Sequence, residues 1–316
     1  MTMRTAILVT CLAAWPTLAP AGTANDADFP AELVDFVPYA GNPVFAATGR
    51  DTWDRQIRER GYILKEGNLW RLWYTGYNYH AGDVHQTKSS CLGYATSPDG
   101  LRWTRYSDRP IFDKVWTEDM QVMKHGDLYW MFAEGRFDIA HWLTSNDGIG
   151  WNERGSLDIR YSNGKPLSPG PYGTPCVWFE GGGWYLFYER GDRGIWLAGS
   201  LDGKRWTNLS DEPVIRMGPE PYDKYAVALN QVVKYRGKYY GYYHGNADRQ
   251  HHAPWTTSVA MSSDLVHWKK YGKNPIIRSD HSSAILVNDG RQYRLYTMHP
   301  DVRAWFPRRP ASPEAP

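Results

Sequence analysis

The sequence is poor in cysteine, with three in 316 residues. It contains no CxxC pair, which excludes a cysteine-based zinc site. It also lacks an excess of either charge. Lys+Arg 36 against Asp+Glu 34 leaves a formal net charge of +2, so nothing electrostatic argues for nucleic acid or an acidic membrane surface as a partner. After the first two dozen residues no stretch approaches 18 continuous apolar residues, and the mature protein is expected to be soluble. Hydrophobic residues at 42% and charged residues at 22% exclude a disordered chain and a coiled coil. What is abundant is aromatic: 16 Trp, 22 Tyr and 9 Phe, with 30 Gly and 21 Pro beside them. That composition favours many short strands joined by tight turns.

Residues 1–24 read as a secretory signal peptide. Arg4 precedes an apolar core from Thr5 to Trp15, and small residues follow in "LAPAGTA", with cleavage expected after Ala21 or Ala24. A secreted or periplasmic location follows as an expectation. Cys91 and Cys176 then remain, and both are expected as buried free thiols within strands of different repeats.

Two families of turns repeat along the chain. "SPDGLRW", "SNDGIGW", "SLDGKRW" and "SSDLVHW" share S-x-D-x-x-x-W and end at Trp103, Trp151, Trp206 and Trp268. Glycine turns that feed aromatic strands occur at Gly67, Gly126, Gly181, Gly237 and Gly290, at spacings of 59, 55, 56 and 53. Each repeat reads as four strands, and five four-stranded repeats predict an all-β fold, a five-bladed β-propeller over residues 25–307. A proline-marked outer strand recurs at Pro110, Pro213 and Pro275, whereas the second repeat carries a longer "DIRYSNGKPL" insert. The fifth repeat lacks this segment, and "YAGNPVF" (39–45) supplies it from the other end. The N-terminal strand is therefore expected to complete the last blade near residues 301–306. The Pro-rich tail at 308–316 is expected to be disordered.

Both tight turns of a blade fall on one face, so the longer loops build a funnel on the other. Counting from the turn glycines places Thr75, Glu134, Glu189, Gly245 and Met298 at the funnel end of the second strands. The same count places Arg60, Asp119, Thr174, Asn230 and Ser283 at the funnel end of the first strands. Glu59 and Glu118 precede the first two, and His281 lies close to Ser283. Carboxylates, arginine and histidine thus converge where burial is costly unless the groups are paired or used. The turn tryptophans and most strand aromatics read as packing. Glu134–Arg136 and Glu189–Arg190 also fit simple salt bridges, and the loop histidines at 80, 85, 251 and 252 lack the spacing of a metal site.

The runs "LGYATSPDGLRWTRYSDRPIF" (92–112) and "IWLAGSLDGKRWTNLSDEPVI" (195–215), with the strand "YWMFAEG" (129–135), resemble the five-bladed propeller glycoside hydrolases around families 32, 43, 62, 117 and 130. The absent Trp-Met-Asn-Asp-Pro motif argues against family 32. The resemblance implies a carboxylate on the first strand of each of the first three blades. Glu59 and Asp119 match two, Thr174 stands at the third, and Glu189 or Glu134 takes that role instead. The implied activity is glycoside hydrolysis by acid and base carboxylates without cofactor or metal, and the implied partner is a carbohydrate. Arg60, Tyr77, Glu118, Arg136, Thr174, Arg190, Asn230, His244, Trp255 and His281 are the expected substrate contacts. A non-catalytic sugar-binding propeller and a glycoside phosphorylase, which needs a cationic phosphate pocket, are the alternatives.

Overall fold

A computed structural model describes residues 28–79, 90–167 and 170–308. The signal-peptide segment, His80 and His85, and residues 309–316 lie outside the described residues. Five antiparallel sheets form the blades of a propeller. Blade I comprises Gln56–Glu66, Leu69–Tyr77, Cys91–Ser97 and Thr104–Arg105. Blade II comprises Glu118–His125, Leu128–Gly135, Ile139–Ser145 and Asn152–Ser156. Blade III is built on Gly173–Glu180, Gly183–Glu189, Gly194–Ser200 and Arg205–Asn208, and blade IV on Ala226–Tyr235, Lys238–Asn246, Thr256–Ser262 and Trp268–Lys270. Blade V has Ile285–Asn288, Tyr293–Thr297 and Arg303–Pro307, and its fourth strand is Phe36–Pro38 from the N-terminal end of the chain.

Closure extends further than the sequence pattern implies. Phe36–Pro38 pairs with Trp305–Pro307. The "YAGNPVF" segment then runs on along the same strand: Asn42 exchanges two side-chain hydrogen bonds with Ala304, at 2.9 and 2.8 Å, and Phe45 bridges Val302. The other proline-marked segments return in the same way, Phe112 to Leu92, Ile277 to Thr257, and Ile215–Arg216 to Gly194–Ile195. The insert after blade II does something different: Asp158–Arg160 pairs in parallel with Arg205–Thr207, so it joins the edge of blade III.

The S-x-D turns are structural. Ser97 Oγ accepts the N–H groups of Asp99 and Gly100, and Asp99 Oδ1 accepts those of Leu101 and Arg102. The same pattern recurs at Ser145, Ser200 and Ser262. The third turn position has positive φ at Gly100, Gly148 and Gly203, and Leu265 adopts it in the fourth repeat at φ 69°. Neighbouring blades are tied through these turns: Trp73 Nε1 donates to the Gly148 carbonyl at 2.7 Å and the Tyr296 hydroxyl to that of Gly100 at 3.1 Å. Cys176 is a buried free thiol, whereas Cys91, expected to be buried, is partly exposed.

Candidate active site

The first strands of blades I to IV carry an irregularity where they reach the funnel. In blade I the pairing jumps from Arg58–Thr75 to Tyr62–Trp73, so Glu59, Arg60 and Gly61 stand opposite one residue. In blades II and III two residues stand opposite one, Asp119–Met120 and Thr174–Pro175. Glu59, Asp119, Thr174 and Ser283 share positive φ, at 62°, 42°, 43° and 57°. Non-glycine residues adopt this region at a cost of about 1–3 kcal/mol, and such strain collects at functional sites. These bulges re-aim side chains at the strand ends. The extra residue in blade I makes Glu59 the equivalent of Asp119, and it displaces Arg60 toward the axis.

Arg60 is fully buried. Its Nε donates to Met120 O at 3.2 Å, its Nη1 to Leu229 O and Asn230 O, and its Nη2 to Pro175 O and Asp119 O. A guanidinium has five N–H donors, and here five carbonyls from three blades take them. The expectation of a substrate contact at Arg60 is therefore corrected: it ties the inner strands together beneath the funnel. Its backbone N–H supports the site instead, donating to Asp119 Oδ1 at 3.0 Å. Thr174 is likewise engaged, its N–H and hydroxyl both directed to Glu134 Oε2 at 2.7 and 3.3 Å. It holds the Glu134 carboxylate in place.

The predicted carboxylates converge. Glu118 and Glu134 are directly opposite across two strands, an arrangement that repels when both are ionised. Glu189 accepts the N–H of Gly173 at 3.0 Å and that of Asp192. Gly173 separates two of the acids: a Cβ there would lie 2.3 Å from Glu134 Oε2 and 2.4 Å from Glu189 Oε1. Those oxygens are thus no farther apart than the two distances together. Burial pushes the Glu59 carboxyl up to about 8, with Asp119 adding and Arg58 opposing. Burial and then Asp192 push Glu189 up to about 8, and burial with Asp138 and Asp119 takes Asp192 up to about 7. Glu118 and Glu134 are also raised, first by burial and then by the neighbouring acids. Asp119 is raised by burial too, but the Arg60 charge and N–H oppose the shift. Interacting acids of this kind share protons as a group.

Blades IV and V present a neutral wall. Burial, followed by the Arg60 charge, lowers the His244 imidazole to about 3. Its Nδ1 lies 3.0 Å from Asn230 Nδ2. Its ring meets Trp255 edge-on at 5.0 Å, and His251 flanks the same indole at 5.1 Å. Trp255 is partly exposed, as a stacking platform requires. Tyr77 differs from its expected place on the rim: it is buried, stacked on Tyr79 at 5.0 Å, and close enough to Glu59 and Glu118 that they, after burial, raise its hydroxyl pKa. His281 is partly exposed beside Trp305, with Nδ1 3.4 Å from the His299 carbonyl. The alternative reading of Glu134–Arg136 and Glu189–Arg190 as simple salt bridges does not hold, since neither pair forms among the described residues. Arg136 lies over Trp116 at 5.7 Å and Arg190 over Trp196 at 5.4 Å.

The similarities of the chain are those of its fold. No known family profile matches it. In sequence it is similar to a 1,2-β-oligomannan phosphorylase from Thermoanaerobacter sp. (strain X514), with 23% identity over 219 residues, 65% of this chain and 70% of that protein. In structure it is similar to a glycosyl hydrolase from Bacteroides ovatus, with TM-score 0.67 and 16% identity over 89% of this chain and 96% of that one. It is also similar to the β-1,2-mannobiose phosphorylase from Listeria innocua in complex with β-1,2-mannobiose, with TM-score 0.63 and 15% identity over 86% and 96%. What is shared is the fold. The chain has the five-bladed propeller of glycosidases and glycoside phosphorylases, as the repeat motifs implied.

Several funnel residues escaped the sequence reading. Asp138 and Asp192 add their charges to the acid cluster, and both have positive φ, at 54° and 58°. Phe137 stands 63% exposed beside Asp138, also at positive φ. Arg58 pairs with Glu59 at 3.1 Å. Each lies in or next to a loop or bulge, where counting from a turn loses register.

Proposed function

We propose that this protein is a glycoside hydrolase that cleaves an oligosaccharide in the propeller funnel. The observation that carries the reading is the convergence of Glu59, Glu118, Asp119, Glu134 and Glu189 in the funnel: Asp119, Glu134 and Glu189 are buried, Glu59 and Glu118 half-buried, and desolvation raises the pKa of all five. Glycosidic cleavage needs one protonated and one ionised carboxyl group. Glu59, protonated at neutral pH, gives its proton to the leaving glycosidic oxygen as the bond to the anomeric carbon breaks. Asp119, kept the more acidic by Arg60, takes a proton from the water that attacks that carbon. Glu134 and Glu189 hold the third blade's side of the sugar, and Trp255 stacks on its face.

Water is favoured over phosphate as the acceptor. A phosphate ion in the funnel would meet five carboxyl groups, while the Arg60 donors are engaged. β-Mannosides, the substrates named for the similar phosphorylases, are the first compounds to test. Export through the N-terminal signal segment would bring the enzyme to extracellular or periplasmic glycans. The test is turnover on an oligosaccharide panel with and without phosphate: reducing ends released equally in both support hydrolysis, and release only with phosphate refutes it.

A further inference from the structure

Beside the acid cluster, on the funnel side of blade III, lies a cavity of about 430 Å³ lined by Pro171, Arg190, Gly191, Arg193 and Trp196. The loop that builds it sorts charges. Gly191 and Asp192 both take positive φ, at 58°. Asp192 feels the charges of Asp138 and Asp119, and its N–H is held by Glu189. The two arginines of the same loop line the cavity instead. Arg190 lies over the Trp196 ring, which occupies the face of its guanidinium and leaves the N–H edge open. Among the described residues neither arginine side chain forms an ion pair or a hydrogen bond to protein. The acid that feels Arg190 is Asp211, whose oxygens already accept from Ser162 and Asn208. The cavity therefore combines two uncommitted guanidinium groups with a flat indole and a proline wall.

We propose that this cavity is a subsite for an anionic sugar residue, a uronate carboxylate or an equivalent oxyanion, in the glycan whose neighbouring bond lies at the acid cluster. This rests on the hydrolase reading for the neighbouring bond but not for the binding itself. The arginines present donors suited to a planar carboxylate, and Trp196 supplies a surface for the sugar ring. The cavity adjoins the cluster through Glu189, whose carboxyl group holds the N–H groups of both Gly173 and Asp192. A carboxylate placed here is separated from the acids by the loop and compensated by the arginines, so the acid cluster does not exclude a charged substrate.

The test measures binding, so it stands apart from catalysis. Oligosaccharides containing galacturonate, glucuronate or mannuronate, and their carboxyl-reduced counterparts, are titrated into the Asp119→Asn protein by calorimetry. At least one acidic oligosaccharide is expected to bind about 10-fold more tightly than its reduced form, as one to two charge-assisted hydrogen bonds at a partly exposed site provide. That preference should fall with added salt, disappear in Arg190→Gln/Arg193→Gln, and persist in part in Arg190→Lys/Arg193→Lys. Circular dichroism checks that each variant is folded. Equal binding of every acidic and reduced pair, or a preference unchanged in the glutamine variant, overturns the proposal. Inorganic phosphate is the separate arm: arginine-dependent binding of phosphate without any arginine-dependent preference for acidic sugars overturns it in favour of a free-phosphate site. Loss of hydrolysis in the wild type with the sugar preference retained refutes the hydrolase reading alone.

Discussion

Glu59 and Asp119 occupy equivalent bulges in adjacent blades, yet their surroundings differ by the Arg60 N–H that only Asp119 accepts. That difference sets their proposed roles. Glu59→Gln and Asp119→Asn should each cut turnover by about 10²–10⁴-fold, the usual span for general acid and base groups, without loss of fold. Steady-state kinetics with circular dichroism checks this. Gly173→Ala is a second probe, because its Cβ would overlap the Glu134 and Glu189 carboxylates. Activity and melting temperature should both drop, since the methyl group forces Glu134 and Glu189 off the N–H groups of Thr174 and Gly173 that hold them. Arg60→Met leaves five buried carbonyls without donors, and at about 1–3 kcal/mol for an unpaired buried group it should cost at least about 3 kcal/mol in denaturant unfolding.

At the scale of strands and turns, the blades were legible because their turns repeat chemically. Ser97, Ser145, Ser200 and Ser262 cap the same backbone N–H groups, and that need is written into S-x-D. The funnel was less legible. A count from the turn glycine assumes a period of two, whereas the inner strands of blades I to IV are interrupted by bulges, and blade I has one residue more than blades II and III. That extra residue is why Arg60 occupied the axial register in the sequence while Glu59 occupies the site. Phe137, Asp138 and Asp192 could not be placed from sequence, because their direction depends on positive φ at residues other than glycine. The closing segment was legible through its Asn-Pro strand. Residues 28–38 were not, although Tyr242 donates to Leu33 O at 2.7 Å and Tyr240 to Asp28 O at 2.9 Å. The N-terminal segment therefore fastens blade IV as well as blade V. Deleting residues through Phe45 should lower the melting temperature sharply or abolish folding; an unchanged melting curve would contradict this account of closure.

Across the whole molecule, two sets of carboxyl groups pull stability in opposite directions with pH. Backbone N–H groups of Ile149 and Gly150 hold Asp147 below its usual value, and those of Lys204 and Arg205 do the same for Asp202. Their contribution is present above the unfolded-state pKa and is lost as pH falls through the folded one. The funnel acids are the reverse. Glu59 and Glu189 are raised to about 8, so their stabilising protonated form holds below the unfolded value and fades as pH rises toward 8. The protein should melt highest at mildly acidic pH. At pH 9, Glu59→Gln should melt above the wild type, because it removes a buried charge from a crowded site. Activity should fall on the alkaline side as Glu59 loses its proton. Holding five acids together in one funnel thus costs stability as pH rises.

The measurement that bears most directly on the central claim is product analysis by NMR, with the wild type and Asp119→Asn acting on an oligosaccharide panel headed by β-mannosides, with and without phosphate. The account predicts free reducing sugar from the wild type irrespective of phosphate, and almost none from Asp119→Asn. Sugar 1-phosphate formed only in the presence of phosphate, or equal turnover by both proteins, would contradict it.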